Sequence, residues 1–202
     1  MLAMLLMGGT ATAQHVTVGG DVYGGGNKAS VNRGTTVLID QSNAVIKGDV
    51  YGGGAKAKVD TFLIANPGEA TTIDSTLVTI LQGNVQGNVY GGGLGNADTA
   101  AHVYGGVHVS IGNSEGGSAT FGKTVSSNVT GGNIFGGNNV NGSPQKNVKV
   151  DIWQTAHTND NEVDHDGVCT TFVAFQNHIS HEQTDFAIQA VYGRNMLQII
   201  II

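Results

Sequence analysis

The chain has 202 residues, a formal net charge of −6 at pH 7 and only nine lysines and arginines, too thinly spread to form a basic stripe along a phosphate backbone. Nucleic acid is excluded as an expected partner. Its 32 glycines against two prolines depart from an ordinary globular mixture, yet an apolar fraction of 40% excludes a disordered linker.

The length suits one domain, which at this size buries roughly 70% of its unfolded surface. Residues 1–13 carry an apolar run from Leu2 to Met7 and end in the A-x-A pattern Ala11-Thr12-Ala13, which predicts a signal peptide and export. They lack a positive n-region, and the other reading is a short apolar strand that caps the core. No later stretch approaches the ~18 apolar residues of a membrane span, so the chain is not expected to span a membrane.

GDVYGGGNKASV at Gly20–Val31 returns as GDVYGGGAKAKV at Gly48–Val59. Further copies of [VI]-[YF]-G-G place aromatics at Tyr23, Tyr51, Tyr90 and Phe135, with a degraded copy at Tyr192, at spacings of 28, 39, 45 and 57. An apolar-x-apolar strand follows each full copy, in TTVLID, STLVTIL, GVHVSIG and NVKVDIW, ending on Ile39, Ile80, Ile111 and Ile152. The shortest offsets, 16 from aromatic to isoleucine and 12 onward to the next aromatic, define a unit of 28 residues.

The excess in later units falls in polar stretches, ANPGEATTID, NSEGGSATFGKT and a long insertion over residues 154–184. Loops lengthen cheaply, by about 0.6 kcal/mol per doubling, whereas one residue added inside a strand flips its inward face. A further VYGG at Val103–Gly106, 14 residues after Tyr90, is read as a lead into the VHVSI strand.

Short apolar segments recurring in this way predict an all-β fold, a right-handed parallel β-helix of about five to six coils over residues 14–193. Tyr23, Tyr51, Tyr90 and Phe135 would stack on one face, the segments Ala29–Val31 and Ala57–Val59 on a second and the isoleucine-ending strands on a third. Gly24, Gly25, Gly26, Gly52, Gly53, Gly54, Gly91, Gly92, Gly93, Gly136 and Gly137 would mark corners, where positive φ or the close approach of neighbouring coils forbids a Cβ. Asp21, Asp49, Asn88 and Asn133 would run beside them as a structural ladder.

The glycine triplets lack the G-x-D of the calcium-binding nonapeptide, so no cofactor is expected in the corners. The insertion HTNDNEVDHDGVCTTFVAFQNHISHEQTD holds four of the seven histidines. EVDHDG at Glu162–Gly167 opens like an EF-hand, but Val173 at the twelfth position excludes one. Asp164 and Asp166 remain candidates for a looser calcium site, weighed against a solvated acidic loop. His178 and His181, at i and i+3, are candidates for zinc without a clearly placed third ligand. Cys169 has no partner for an internal disulfide and reads as a buried thiol.

No residue is assigned a catalytic role. Glycoside hydrolysis needs two opposed carboxylates, and a lyase would want a base beside calcium, yet Arg33 and Arg194 are the only arginines and neither lies in the acidic insertion. The end, VYGRNMLQIIII, breaks the repeat. Residues 194–202 read as the tail of a truncated array whose last coil is uncapped and open to edge-to-edge self-association; the alternative is an apolar terminal strand from Met196 to Ile202.

GDVYGGGNKA, KVDIWQTAHT and FAIQAVYG resemble the repetitive, glycine-rich, adhesin-like surface proteins of Gram-negative gut anaerobes, and the resemblance covers most of Gly20–Gly193. It implies a β-helix, a place outside or on the outer surface of a Gram-negative bacterium, and adhesion to glycans or cell-surface proteins. Its motifs are structural and carry over no catalytic residue. The expected function is therefore non-catalytic, an adhesin-like repeat surface. The alternatives are a polysaccharide lyase or glycosidase, and a self-associating scaffold or stalk.

Overall fold

The computed structural model describes residues 15–66, 75–113, 115–125, 128–153, 188–193 and 196–201. In the first unit these form β1 (Thr17–Val18), β2 (Val22–Tyr23), β3 (Thr35–Ile39) and β4 (Val45–Ile46). The second adds β5 (Val50–Tyr51), the short helix α1 (Phe62–Ala65), β6 (Thr76–Ile80) and β7 (Asn84–Val85). Then come β8 (Val89–Tyr90), β9 (Val107–Ile111), β10 (Thr120–Phe121), β11 (Lys123–Val125) and β12 (Asn128–Thr130). The last are β13 (Ile134–Phe135), β14 (Val148–Ile152), β15 (Ile188–Gly193) and β16 (Met196–Ile201).

The fold is almost wholly β, and its main pairings are parallel. Strands one unit apart lie side by side in register, so Val22 pairs with Val50, Val50 with Val89 and Val89 with Ile134 in an aromatic sheet. A long sheet joins β3, β6, β9 and β14 in the same way, with Ile39, Ile80, Ile111 and Ile152 aligned. Parallel pairs need a long connection between successive strands, and here each connection passes through the other sheets.

Alternation sets the inward face. Thr76, Val78 and Ile80 in β6 and Val107, Val109 and Ile111 in β9 are fully buried, while Leu77, Thr79, His108 and Ser110 between them are only partly so. Val37, Ile39, Val148, Val150 and Ile152 complete the same rows, joined in one core by Val50, Val89 and Ile134 of the aromatic sheet. Each such side chain contributes about 1.5–3 kcal/mol on burial.

The structure corrects the sequence-based picture in several places. A third set of strands, β1, β4, β7 and β10, forms a parallel sheet that the pattern did not predict, because two residues per strand are too few to show periodicity. The predicted second face is reduced to isolated bridges, Val31–Val59–Val103–Pro144 and Asn27–Ala55–Leu94–Asn139. Val103 of the extra VYGG therefore stands in the row of Val31 and Val59, which accounts for its half-unit spacing. The stretch NSEGGSATFGKT is more than loop, since it supplies β10 and the start of β11, which pairs antiparallel with β12.

Met196–Ile201 is a strand. It pairs antiparallel with both β14 and β15, so the last parallel strand of the long sheet is covered along its outer edge.

Candidate binding surface

The motif G-[DN]-[VI]-[YF]-G-G builds one continuous ladder along the aromatic sheet. In each strand the valine or isoleucine faces the core. The aromatic after it meets its counterparts above and below, with centroids 4.8, 4.9 and 4.8 Å apart and planes within 7° from Tyr23 through Tyr51 and Tyr90 to Phe135. That spacing is the distance between paired strands, so in-register pairing dictates the stack.

The residue two before the aromatic closes the ladder. Asp21 Oδ1 accepts from the Asp49 N–H at 2.9 Å, Asp49 Oδ1 from the Asn88 N–H at 2.7 Å and Asn88 Oδ1 from the Asn133 N–H at 3.2 Å. An amide oxygen serves this role as well as a carboxylate oxygen, which explains why Asp can drift to Asn along the array. The second oxygen of Asp21 accepts from the Tyr23 hydroxyl and that of Asp49 from the Tyr51 hydroxyl, each at 3.0 Å. Asn139 Nδ2 donates to the Tyr51 oxygen at 2.9 Å.

Stacking closes the inner tyrosines to a ligand. Tyr51 is 1% exposed and Tyr90 8%, so their faces are occupied by each other and offer no platform for a sugar ring. Tyr23, the end ring, is half-buried and has one stacking neighbour.

The corner glycines follow from the same stacking. A Cβ on Gly24 would lie 2.3 Å from the Gly52 carbonyl oxygen, and one on Gly52 2.3 Å from that of Gly91. Neither has a positive φ, so close approach is the reason for glycine, and the alternative of a left-handed corner does not apply. Left-handed residues occur two positions past the triplet instead, at Lys28, Lys56 and Val140. Asn138 stands where the fourth unit would have its third glycine; it is buried, its Nδ2 donates to the Ala101 carbonyl and its Oδ1 has no partner among the described residues.

Two polar clusters were missed by the sequence reading. On the outer side of the long sheet, Asp151 Oδ2 lies 2.8 Å from both His108 Nε2 and Lys149 Nζ. Aligning VHVSI with VKVDI would have placed His108 beside Lys149 and Ser110 beside Asp151, so the signal was present. Asp60 is buried and accepts from the Ser75 hydroxyl at 2.5 Å, a contact that ties the two ends of the second unit's insertion. Nothing in the sequence marks that pair.

The candidate metal ligands Asp164, Asp166, His178 and His181, and Cys169 with them, lie outside the described residues. Among the described residues no group of three or more His, Cys, Asp or Glu side chains is placed to hold a metal ion, and no helix is long and apolar enough to cross a membrane.

Burial pushes the Tyr23 hydroxyl up from 10.0 to about 12, and the hydrogen bond to Asp21 and its charge add to the shift. Burial likewise raises Tyr51 and Tyr90, with the charge of Asp49 adding and the donors from Asn139 and Asn88 opposing. The native state thus holds these phenols neutral. Their contribution to stability is whole below pH 10.0 and falls as pH rises toward about 12, where the unfolded chain has lost protons that the native chain keeps. Unfolding midpoints should drop across that window, and Tyr23→Phe should remove part of the drop; a flat alkaline profile would contradict the ladder's electrostatics.

Comparison with protein-family models, with curated proteins and with solved structures finds no match to this chain.

Proposed function

We propose that the chain is a right-handed parallel β-helix of an exported, adhesin-like surface protein, non-catalytic, which presents its outer rows and insertions to glycans or surface proteins. The observation that carries this reading is the in-register ladder. Tyr23, Tyr51, Tyr90 and Phe135 stack at one strand spacing while the lengths between them grow from 28 to 45 residues, so a constant cross-section carries insertions of unequal length. Such a frame is suited to display, since loops vary freely on a scaffold whose core does not change.

The chemistry of the frame supports a non-catalytic role. Both carboxylate oxygens of Asp21 and Asp49 accept hydrogen bonds from their own ladder, and Asp151 is engaged by His108 and Lys149. With the faces of Tyr51 and Tyr90 consumed, recognition falls to the insertions and to the outer side of the long sheet.

A glycan-array screen of the full chain, run with calcium and again with chelator, tests the proposal. Selective binding supports the adhesive reading, and binding that disappears with chelator shows a role for calcium, for which Asp164 and Asp166 are the candidate ligands. Absence of binding in both arms rejects glycan adhesion and leaves a stalk.

A further inference from the structure

The long sheet runs past β14 through two antiparallel strands, β16 and then β15, and ends on its other side with β3. Beyond β14 the antiparallel strand β16 pairs residue for residue, from Val148 with Ile201 to Ile152 with Leu197. At the opposite edge, β3 pairs with β6 on one side, and among the described residues nothing pairs with its other side.

The hydrogen bonds identify which groups are left over. The Thr35 N–H donates to Ser75 and the Ile39 carbonyl accepts from Leu81, so Thr35, Val37 and Ile39 direct their backbone groups toward β6. Backbone groups alternate sides along a strand. The N–H and C=O of Thr36 and Leu38 therefore face the open edge. Such a row is a template for another strand, and the exposed Leu38, 61% accessible, adds apolar surface beside it.

We propose that the occupant is a second copy of this chain, docked through a two-fold axis that passes by Val37 and pairs β3 antiparallel with its own copy. Centred on Val37, this register sets Thr36 opposite the partner's Leu38 and Leu38 opposite the partner's Thr36. Both are hydrogen-bonded pairs, and together they use the four open backbone groups of each chain in four bonds. Centring on Thr36 or Leu38 instead would draw bonds from outside the strand.

Charge placement favours the same arrangement. Arg33 precedes β3 and Asp40 follows it, and both are exposed. The antiparallel pairing brings each Arg33 to within one position of the partner's Asp40, twice over, whereas a parallel pairing would set like charges together. In one chain Arg33 lies 3.7 Å over the Phe62 ring and Asp40 accepts from Gln82 at 2.8 Å. The interface draws both side chains toward the partner. It also keeps the inward and outward faces matched, since Val37 meets the partner's Val37 on the core side.

Sedimentation velocity on the full chain over a range of micromolar concentrations tests the interface. The expected result is a concentration-dependent dimer. Leu38→Pro removes only an outward N–H, so it should give a monomer with unchanged circular dichroism. Arg33→Asp alone and Asp40→Arg alone should each weaken the dimer by about tenfold or more through like-charge contacts, and an equimolar mixture of the two should restore it as a heterodimer. That recovery separates the interface from the loss of the Phe62 contact, and it decides the matter if the proline variant does not fold. A wild-type chain that stays monomeric, a folded Leu38→Pro variant that still dimerises, or a mixture that fails to recover would each overturn the proposal. None of these outcomes depends on glycan binding.

Discussion

Gly52→Ala is expected to destabilise the protein by about 3 kcal/mol, at the upper end of what overpacking costs. The added methyl would stand 2.3 Å from the Gly91 carbonyl oxygen and 2.8 Å from Val78 Cγ2. Neither neighbour can yield cheaply. The Gly52 N–H donates to Tyr90 and its carbonyl accepts from the Thr35 hydroxyl at 2.6 Å, so moving the corner breaks bonds to units on both sides. Gly19→Ala and Gly20→Ala serve as controls, because an added Cβ there meets nothing within 4 Å, and each should be neutral or slightly stabilising. Urea midpoints followed by circular dichroism would show the contrast; equal midpoints for Gly52→Ala and Gly20→Ala would refute the close-approach account. A loss of this size is a large share of the roughly 5–15 kcal/mol that holds a domain together.

Tyr51→Ala should cost about 3–5 kcal/mol, the range for removing a large buried aromatic. Tyr51 sits between Tyr23 and Tyr90 and loses two stacked contacts at once. It also leaves an Asp49 oxygen and the Asn139 amide without their bond to the phenol. Tyr51→Phe separates the two effects, since it keeps the ring and loses only the hydroxyl, at about 1 kcal/mol. Tyr23→Ala should cost distinctly less than Tyr51→Ala, because Tyr23 is half-buried with one ring neighbour. If the two alanine variants unfolded at the same denaturant concentration, the ladder would not be a cooperative stack.

The ladder and the long sheet were legible because their signals are long or chemically distinctive. Five-residue strands such as Val107–Ile111 show alternation, and an aromatic beside a glycine triplet is easily tracked from one unit to the next. Val45–Ile46 and Asn84–Val85 were not legible, since two residues carry no period and only the neighbouring unit makes them strands. The extra VYGG was half legible. Its failure as an aromatic rung was foreseen, whereas its place in the row of Val31 and Val59 depended on where the third unit's backbone passes. The candidate ligands Asp164, Asp166, His178 and His181 rest on sequence alone.

By itself the sequence determined the unit of 28 residues, the stacking of Tyr23 on Tyr51 on Tyr90 on Phe135 and the inward rows of valine and isoleucine, because spacing and alternation are one-dimensional properties that backbone geometry converts directly into contacts. Only the tertiary structure decided that the faces of Tyr51 and Tyr90 are closed to ligand, that glycine is demanded at Gly52 by a carbonyl from the next unit and that, among the described residues, β3 has an unpaired edge while β14 is flanked on both sides. Those facts depend on which atoms lie across from one another after the chain has returned upon itself, and no local pattern encodes that distance.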